Sequence, residues 1–219
     1  MSDSSASSIS FYCVPADISW MSHPHCREMV ELMTEAFGPY HSLFSHFIEC
    51  VAIPLQTSFV AVDGATDRVV AALQAVPYLY VEPADAPPVA YLYALVTDSS
   101  RRGEGLMSSL LTFALKSRQE EWGRCEAILI PANEDLIPYY NKRGFRLLDT
   151  VWQEKADTSF FDPDALRPHP LVRQYQEWEE RQPLPDDLPE QHAPFPFPMF
   201  LPDSHTDLAR IPLLQNPLL

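Results

Sequence analysis

The amino-acid sequence predicts a mixed α/β fold, in which a mostly antiparallel central sheet is flanked by helices. β-rich runs joined by the hairpin-like segment DGATD come first, and a strand-helix-strand unit follows them. Proline usage adds a boundary, because 12 of the 22 prolines fall in residues 156–219. We therefore expect a core over residues 1–155 and a Pro-rich C-terminal extension over residues 156–219.

The first elements are a strand at SISFYCV and a helix at HPHCREMVELMTEAFG. The apolar residues of this helix, followed by the two residues that end it, are Met29, Val30, Met33, Ala36 and Phe37, then Gly38 and Pro39. A second helical segment, HSLFSHFIECVA, precedes the strands TSFVAVDG and RVVAALQAVPYLYV, which DGATD joins as a hairpin. The next strand, VAYLYALVT, is apolar on both faces, so it should lie centrally in the sheet.

The second half of the core begins with a helix from about Gly105 to Trp122. It is followed by the buried strand CEAILIPA, the short helix EDLIPYYNKR and the strand GFRLLDTVWQEKA. In the extension, PLVRQYQEWEERQ indicates a helix, and the residues around PMFL indicate a short strand. The apolar segments FPFPMF and IPLL favour packing of the extension on the core, because they are too apolar to stay in water.

Composition limits the classes of function. A formal net charge of −15 argues against a nucleic-acid partner and suits either simple solubility or attraction of a cationic small molecule or peptide. No apolar run reaches the roughly 18 residues of a membrane span, and MSDSSASSIS lacks the features of a secretory signal, so we expect a cytoplasmic protein. The four cysteines lack CxxC spacing, which favours reduced thiols. The HPHC segment, without a second set of ligands, is expected to be a surface loop and no metal site.

Two of the six glycines, Gly103 and Gly105, lie where a buried strand turns into a helix. Glycines there let a ligand approach the backbone, and the free N–H groups of the helix favour a phosphate or pyrophosphate. Arg101 and Arg102 add positive charge beside the turn. A plain turn into an amphipathic helix is the alternative, and the segment is neither a P-loop nor a dinucleotide fingerprint.

The segment RRGEGLM resembles the acetyl-CoA-binding motif [QR]xxGx[GA] of the GNAT N-acetyltransferase superfamily, through Arg102, Gly105 and Met107. The methionine departs from the small residue of the motif. Downstream, NEDLIPYYNKRGF is similar to the superfamily signature N-x-x-A-I-x-L-Y-x-K-x-G-F. The matching residues are Asn133, Ile137, Tyr140, Lys142, Gly144 and Phe145, whereas Leu136 and Tyr139 differ from it. The order of elements also agrees with the GNAT fold from about residue 8 to residue 155, and that fold needs a last strand, which FPFPMFLPD in the extension would supply.

The resemblance implies an N-acetyltransferase that moves acetyl from acetyl-CoA to a primary amine of a small molecule or peptide. The amine attacks directly, without a covalent enzyme intermediate, and neither a metal, a nucleic acid nor a membrane is expected. A homodimer is left open. The residues that the resemblance assigns to the cofactor are Leu95, Val96 and Thr97 for the pantetheine arm, Arg101, Arg102, Gly103, Glu104, Gly105, Leu106 and Met107 for the pyrophosphate, and Asn133 and Tyr140. A backbone N–H of the strand before the turn would polarise the thioester carbonyl.

By the same resemblance, Tyr140 is the general acid that protonates the departing thiolate. Asn133 either bonds the cofactor or caps the short helix. The general base stays open, because VAYLYALVT contains no carboxylate: Tyr91, Tyr93, a water chain, Glu35 or a carboxylate of the extension would serve. Two alternatives also stay open, a non-catalytic CoA-binding module that docks a partner through the acidic Pro-rich extension, and an enzyme that uses another acyl donor.

Overall fold

The computed structural model describes residues 8–147, 166–182 and 199–202. Its strands are β1 (Ile9–Cys13), β2 (Ser58–Asp63), β3 (Arg68–Tyr80), β4 (Val89–Thr97), β5 (Glu126–Leu129), β6 (Arg146–Leu147), β7 (Leu166–Pro168) and β8 (Met199–Leu201). Its α-helices are α1 (Pro24–Phe37), α2 (His41–Phe47), α3 (Leu106–Trp122), α4 (Ile137–Asn141) and α5 (Pro170–Glu179). A π-helical segment, Ile48–Ala52, extends α2. Most of GFRLLDTVWQEKA, the segment FPFP and the segment IPLL lie outside the described residues.

The eight strands form one open sheet in the order β1-β2-β3-β4-β5-β8-β6, with β7 paired to the end of β3. Among the described strands, β4 and β5 form the single parallel pair, so the sheet is mostly antiparallel as predicted. The predicted hairpin joins β2 to β3, and β4 has a hydrogen-bonded neighbour on each side. In the part of the chain that the structure describes, no helix is both long enough and apolar enough to cross a membrane.

The central strand β4 changes its pairing half-way along. Its parallel ladder with β5 runs from Val89 opposite Glu126 to Tyr91 opposite Ile128, and no register pair with β5 follows among the described residues. The antiparallel register with β3 shifts between Ala72 and Gln74, and Ala94 of β4 has a φ of 50°. The second half of β4 therefore leaves a free backbone edge on the side of β5, next to a bulge.

The two faces of the sheet carry separate cores. On one face, α3 buries Leu110, Ala114 and Leu115 against the strands. On the other face lie α1, α2 and α5. The predicted apolar face of α1 ends early, because Ala36 and Phe37 are exposed. The Phe37 ring lies 6.3 Å from the Phe44 ring of α2, so it packs at the edge of this core.

The described parts of the extension contact the sheet at two places. β7, which the sequence pattern does not predict, pairs with Tyr78–Tyr80 of β3, and α5 follows it with Val172 and Tyr175 buried. β8 inserts between β5 and β6, where all three of its residues are buried. The boundary between core and extension near residue 155 falls outside the described residues and stays a prediction.

Candidate functional site

The turn between β4 and α3 is shaped by one carboxylate and two glycines. Asp98 accepts hydrogen bonds from the backbone N–H and the hydroxyl of Ser100, at 2.8 and 2.7 Å, and these bonds lower the pKa of Asp98. Gly103 has a φ of 85°, and Gly105, the N-cap of α3, has a φ of 76°. A Cβ atom added to Gly105 would meet no atom within 4 Å. Glycine is therefore needed here for the left-handed backbone, and the space in front of it is open.

The first turn of α3 presents unbonded donors to this open space. The first backbone bond that closes within the helix joins the Ser109 N–H to the Gly105 carbonyl, at 3.1 Å. The N–H groups of Leu106, Met107 and Ser108 precede it, so they have no carbonyl partner within the helix. With the positive end of the helix dipole, they form a place for an anionic group.

A shallow depression lies at this end of α3, lined by Thr97, Gly103, Met107, Ser108 and Tyr139 among others. The side chain of Met107 is 6% exposed and belongs to the core under α3. The methionine that departs from the motif therefore packs inward, and it leaves the backbone of the turn accessible.

Arg101 is engaged by carboxylates on both sides. Its guanidinium donates to Asp63 at 2.6 Å and to Glu104 at 2.8 Å. The hydrogen bond from Arg101 lowers the pKa of Glu104. The positive charge expected from Arg101 is thus offset by two negative charges, and the residue acts as a clamp that holds the turn. Arg102 is exposed.

A second arginine, which the sequence pattern did not single out, lies under the depression. Arg143 is 2% exposed, its guanidinium carbon lies 3.4 Å from the centre of the Tyr139 ring, and it donates to the Tyr139 carbonyl at 2.6 Å. It also donates to the Ser108 hydroxyl, which lies 3.3 Å from the Tyr139 hydroxyl. Within the described residues no carboxylate pairs with Arg143, and its Nε has no hydrogen-bond partner. The cluster is therefore a buried positive charge beside the free N–H groups.

Tyr140 lies in the core next to this cluster. Its ring packs edge-on against Phe145 at 5.8 Å and against Tyr139 at 5.0 Å, and 6% of its surface is exposed. Burial, followed by the proximity of Tyr139, raises the pKa of Tyr140 well above its ordinary value, so the phenol keeps its proton at neutral pH. Its hydroxyl forms no hydrogen bond with the residues that the structure describes. These properties are compatible with a proton donor.

The remaining predicted cofactor residues lie at two places, the end of β4 and the segment that follows β5. Leu95, Val96 and Thr97 form the end of β4, where the edge toward β5 carries no register pair among the described residues. Asn133 is exposed at the N-cap of a 3-10 turn, Glu134–Leu136, and its side chain makes no capping bond. Of the two roles expected for Asn133, side-chain capping is therefore not observed.

Comparisons with known proteins agree with this geometry. The model of the acetyltransferase (GNAT) family matches residues 24–145, which include the turn, α3 and α4. The chain belongs to this family. No curated protein matches the chain.

Solved structures share the GNAT fold of this chain at low sequence identity. A GNAT acetyltransferase from Staphylococcus aureus Mu50 is 10% identical, with a TM-score of 0.51 over 89% of this chain and 99% of that one. A chain of the NatC complex bound to Gag peptide and CoA is 14% identical, with a TM-score of 0.52 over 89% of this chain and 98% of that one. Some matched structures are longer: the match to a GCN5-related N-acetyltransferase from Kribbella flavida covers 64% of this chain and 34% of that one, at 18% identity and a TM-score of 0.47.

The strand β4 of this GNAT chain contains no carboxylate, so its two tyrosines are the nearest candidates for a base. Burial raises the pKa of Tyr91 to about 12. Burial, together with Glu179, raises the pKa of Tyr93 further. Both phenols thus hold their protons at neutral pH and are poor bases. Glu35 is exposed on α1 and accepts a hydrogen bond from Ser99 at 3.3 Å.

The HPHC segment of this GNAT chain is not the surface loop that we expected. His25 and Cys26 lie in the first turn of α1, where the His25 side chain is 12% exposed and Cys26 is fully buried. His25 contacts the Tyr12 hydroxyl and the Asp67 carbonyl oxygen, so it joins α1 to β1 and to the β2–β3 hairpin. In the described part of the chain no three histidine, cysteine or acidic residues are grouped to hold a metal, and all four cysteines are free thiols.

Proposed function

We propose that the protein transfers an acetyl group from acetyl-CoA to a primary amine of a small molecule or peptide. One observation carries this proposal: the free N–H groups of α3 open on a depression beside a free strand edge, and the buried Arg143 donates to Ser108, which lines that depression. A buried cation without a carboxylate is costly unless an anion joins it. The diphosphate of CoA is such an anion, and its neutral pantetheine arm suits a strand edge.

Different groups of residues bind the different parts of the cofactor. The N–H groups of Leu106, Met107 and Ser108 bind the diphosphate. The Ser108 hydroxyl accepts from Arg143, and when the Tyr139 hydroxyl, 3.3 Å away, also donates to it, the Ser108 hydrogen is available to the same anion. The pantetheine amides pair with the backbone of β4 from Leu95 to Thr97, as an added strand would. This arrangement brings the thioester to the bulge of β4 near Ala94.

The reaction requires one bond to form and one to break. The free amine attacks the thioester carbonyl carbon, a C–N bond forms, and the C–S bond breaks. A backbone N–H of β4 stabilises the negative charge on the carbonyl oxygen. Tyr140 gives its proton to the leaving thiolate, which a phenol that is fully protonated at neutral pH can do. The amine must lose a proton to a base or to water.

The NatC neighbour supports acyl-CoA as the donor, since that complex is bound to CoA and to a Gag peptide. The proposal is tested by incubating the protein with acetyl-CoA and a panel of primary amines and measuring the thiol that is released. We expect release that depends on the amine and saturates with it. Binding of CoA by calorimetry, without release from any amine, would instead favour a non-catalytic CoA-binding module. Faster release from propionyl-CoA than from acetyl-CoA would change the donor and keep the mechanism.

A further inference from the structure

Helix α5 lies beyond the part of the chain that the family model matches, and it packs on β7 and on the π-helical segment after α2, in the same hydrophobic cluster as the central strand. The Tyr175 ring of α5 lies 5.2 Å from the Phe47 ring of α2, and Phe47 lies 5.5 Å from the Tyr93 ring of β4. The Tyr175 hydroxyl oxygen lies 3.3 Å from the Leu43 carbonyl oxygen, which places the end of this ring against the start of α2. Three segments far apart in the chain thus form one aromatic surface over the face of β4 opposite α3.

One carboxylate joins this aromatic surface. Glu179, half-buried at the end of α5, accepts a hydrogen bond from the Tyr175 hydroxyl at 3.1 Å. In the described residues, no lysine, arginine or histidine forms an ion pair with it. Its neighbour Glu177 differs, because that side chain is 56% exposed and pairs with Arg173 at 3.3 Å. Among the residues that the structure describes, Glu179 is therefore a negative charge turned toward the protein without a cationic partner.

The groups around Glu179 come from each element packed there. Tyr175 lies on its own helix, and Tyr93 of β4 is close enough for the Glu179 charge to raise its pKa, after burial itself. From α2, the His46 ring lies 6.1 Å from Tyr175 and 3.8 Å from the Trp178 ring. Two phenols thus lie near the carboxylate, and an imidazole and an indole pack beside Tyr175, so a cationic ligand here would meet aromatic rings and one negative charge.

We propose that Glu179 binds the ammonium group of the acceptor and takes the proton that this amine loses before attack, and that the acceptor is a cationic primary amine with an apolar body. The proposal rests on the acetyl transfer proposed above. Glu179 thereby supplies the carboxylate that β4 lacks, from a helix outside the residues that the family model matches. In the balanced step, one N–H proton moves to the Glu179 carboxylate, directly or through one water, and the nitrogen lone pair attacks the thioester. Tyr140 protonates the thiolate, and solvent then restores both side chains.

The test compares Glu179→Gln with Glu177→Gln, which removes the same charge from the exposed face of the same helix. Acetyl-CoA and 2-phenylethylamine are the substrates. General base catalysis is worth about 10²-fold or more, so kcat/KM for the amine should fall by about that factor at pH 7 in Glu179→Gln. The loss should shrink as the pH approaches the pKa of the amine, because free amine needs no base. Glu177→Gln should stay within about twofold of the wild type, and CoA affinity should be unchanged in both variants.

A third variant and a second amine separate chemistry from folding. Glu179→Asp keeps the carboxylate and should recover part of the lost rate with the pH profile of the wild type. Equal rates and profiles for Glu179→Gln and Glu177→Gln would overturn the role of Glu179. A preference for taurine, whose sulfonate cancels the charge of its ammonium group, over 2-phenylethylamine would overturn the acceptor class. If the wild type released no thiol with any amine, the proposed transfer itself would fail and this role with it.

Discussion

The two faces of β4 are built in different ways. On the face of α3, the candidate cofactor site consists mainly of backbone, with left-handed glycines and free N–H groups within one short stretch of chain. On the opposite face, the candidate acceptor surface consists of side chains from α2, β4 and α5. A site made of local backbone geometry leaves a motif in the sequence. A site made of distant side chains leaves none, and only the folded chain brings it together.

The largest expected effect concerns the chemistry between these two faces. Tyr140→Phe removes one hydroxyl from a buried ring and leaves the packing against Phe145 in place. Loss of a general acid lowers kcat by about 10² to 10⁴, while the affinity for acetyl-CoA should change little. Steady-state kinetics with a good acceptor and CoA calorimetry measure both. A fall in kcat of less than about threefold would show that Tyr140 is not the proton donor.

The second largest effect tests whether β8 of the extension is part of the folded sheet. Met199 of β8 is fully buried between β5 and β6, whereas Met21 is 66% exposed. Met199→Ala should lower the free energy of unfolding by about 2 to 5 kcal/mol, as truncation of a core side chain does. Met21→Ala should change it by less than about 0.5 kcal/mol. Urea denaturation gives both values, and equal values would place β8 outside the cooperative fold.

The third effect concerns Arg143, a charged side chain beside a candidate cofactor site that otherwise consists of backbone groups. Arg143→Met fills a similar volume without the charge, so CoA should bind about tenfold more weakly, with little change for acetyl-pantetheine, which lacks the phosphates. Lys142→Met removes the same charge from the exposed neighbouring position and should leave both affinities near those of the wild type. If both variants weaken CoA binding equally, general electrostatic attraction explains the effect and the cluster under α3 does not.

Much of the architecture follows from local patterns in the sequence. Nine consecutive residues of β4 suit a buried strand, and the glycines before Leu106 mark the start of α3. The insertion of β8 between β5 and β6 could not be predicted, because three residues carry no information about which strands they will join. Arg143 stood at a variable position of the signature, where nothing in the sequence indicates burial.

The acceptor surface was even less accessible to prediction. The contact between the Tyr175 hydroxyl and the Leu43 carbonyl joins residues 132 positions apart. A carboxylate of the extension was one of several candidate bases, and only the packing of α5 distinguishes Glu179 from its neighbours. For the same reason the exposed end of α1 was missed, since helical spacing alone cannot show where the sheet beneath a helix stops.

The smallest expected effect concerns Tyr91, which lies on the acceptor face. Because burial raises its pKa from 10.0 to about 12, the folded state holds this proton more tightly than the unfolded state. The resulting stability is complete below pH 10 and is lost as the pH rises toward 12. Urea unfolding at pH 9 and pH 11 should therefore show a smaller alkaline loss for Tyr91→Phe than for the wild type. Its kcat at pH 7.5 should stay within about threefold, and a larger drop would make Tyr91 a catalytic group.

The most direct test of the cofactor site uses the two ends of α3. Gly105 and Gly123 have φ values of 76° and 80°, and an added Cβ would meet open space at both. Alanine at either position should cost a similar 1 to 2 kcal/mol or so of stability, because the left-handed backbone is strained for any other residue. Calorimetric titration with CoA should then separate the two variants. We expect at least about tenfold weaker binding for Gly105→Ala and wild-type affinity for Gly123→Ala, whereas equal affinities would contradict a cofactor site at the start of α3.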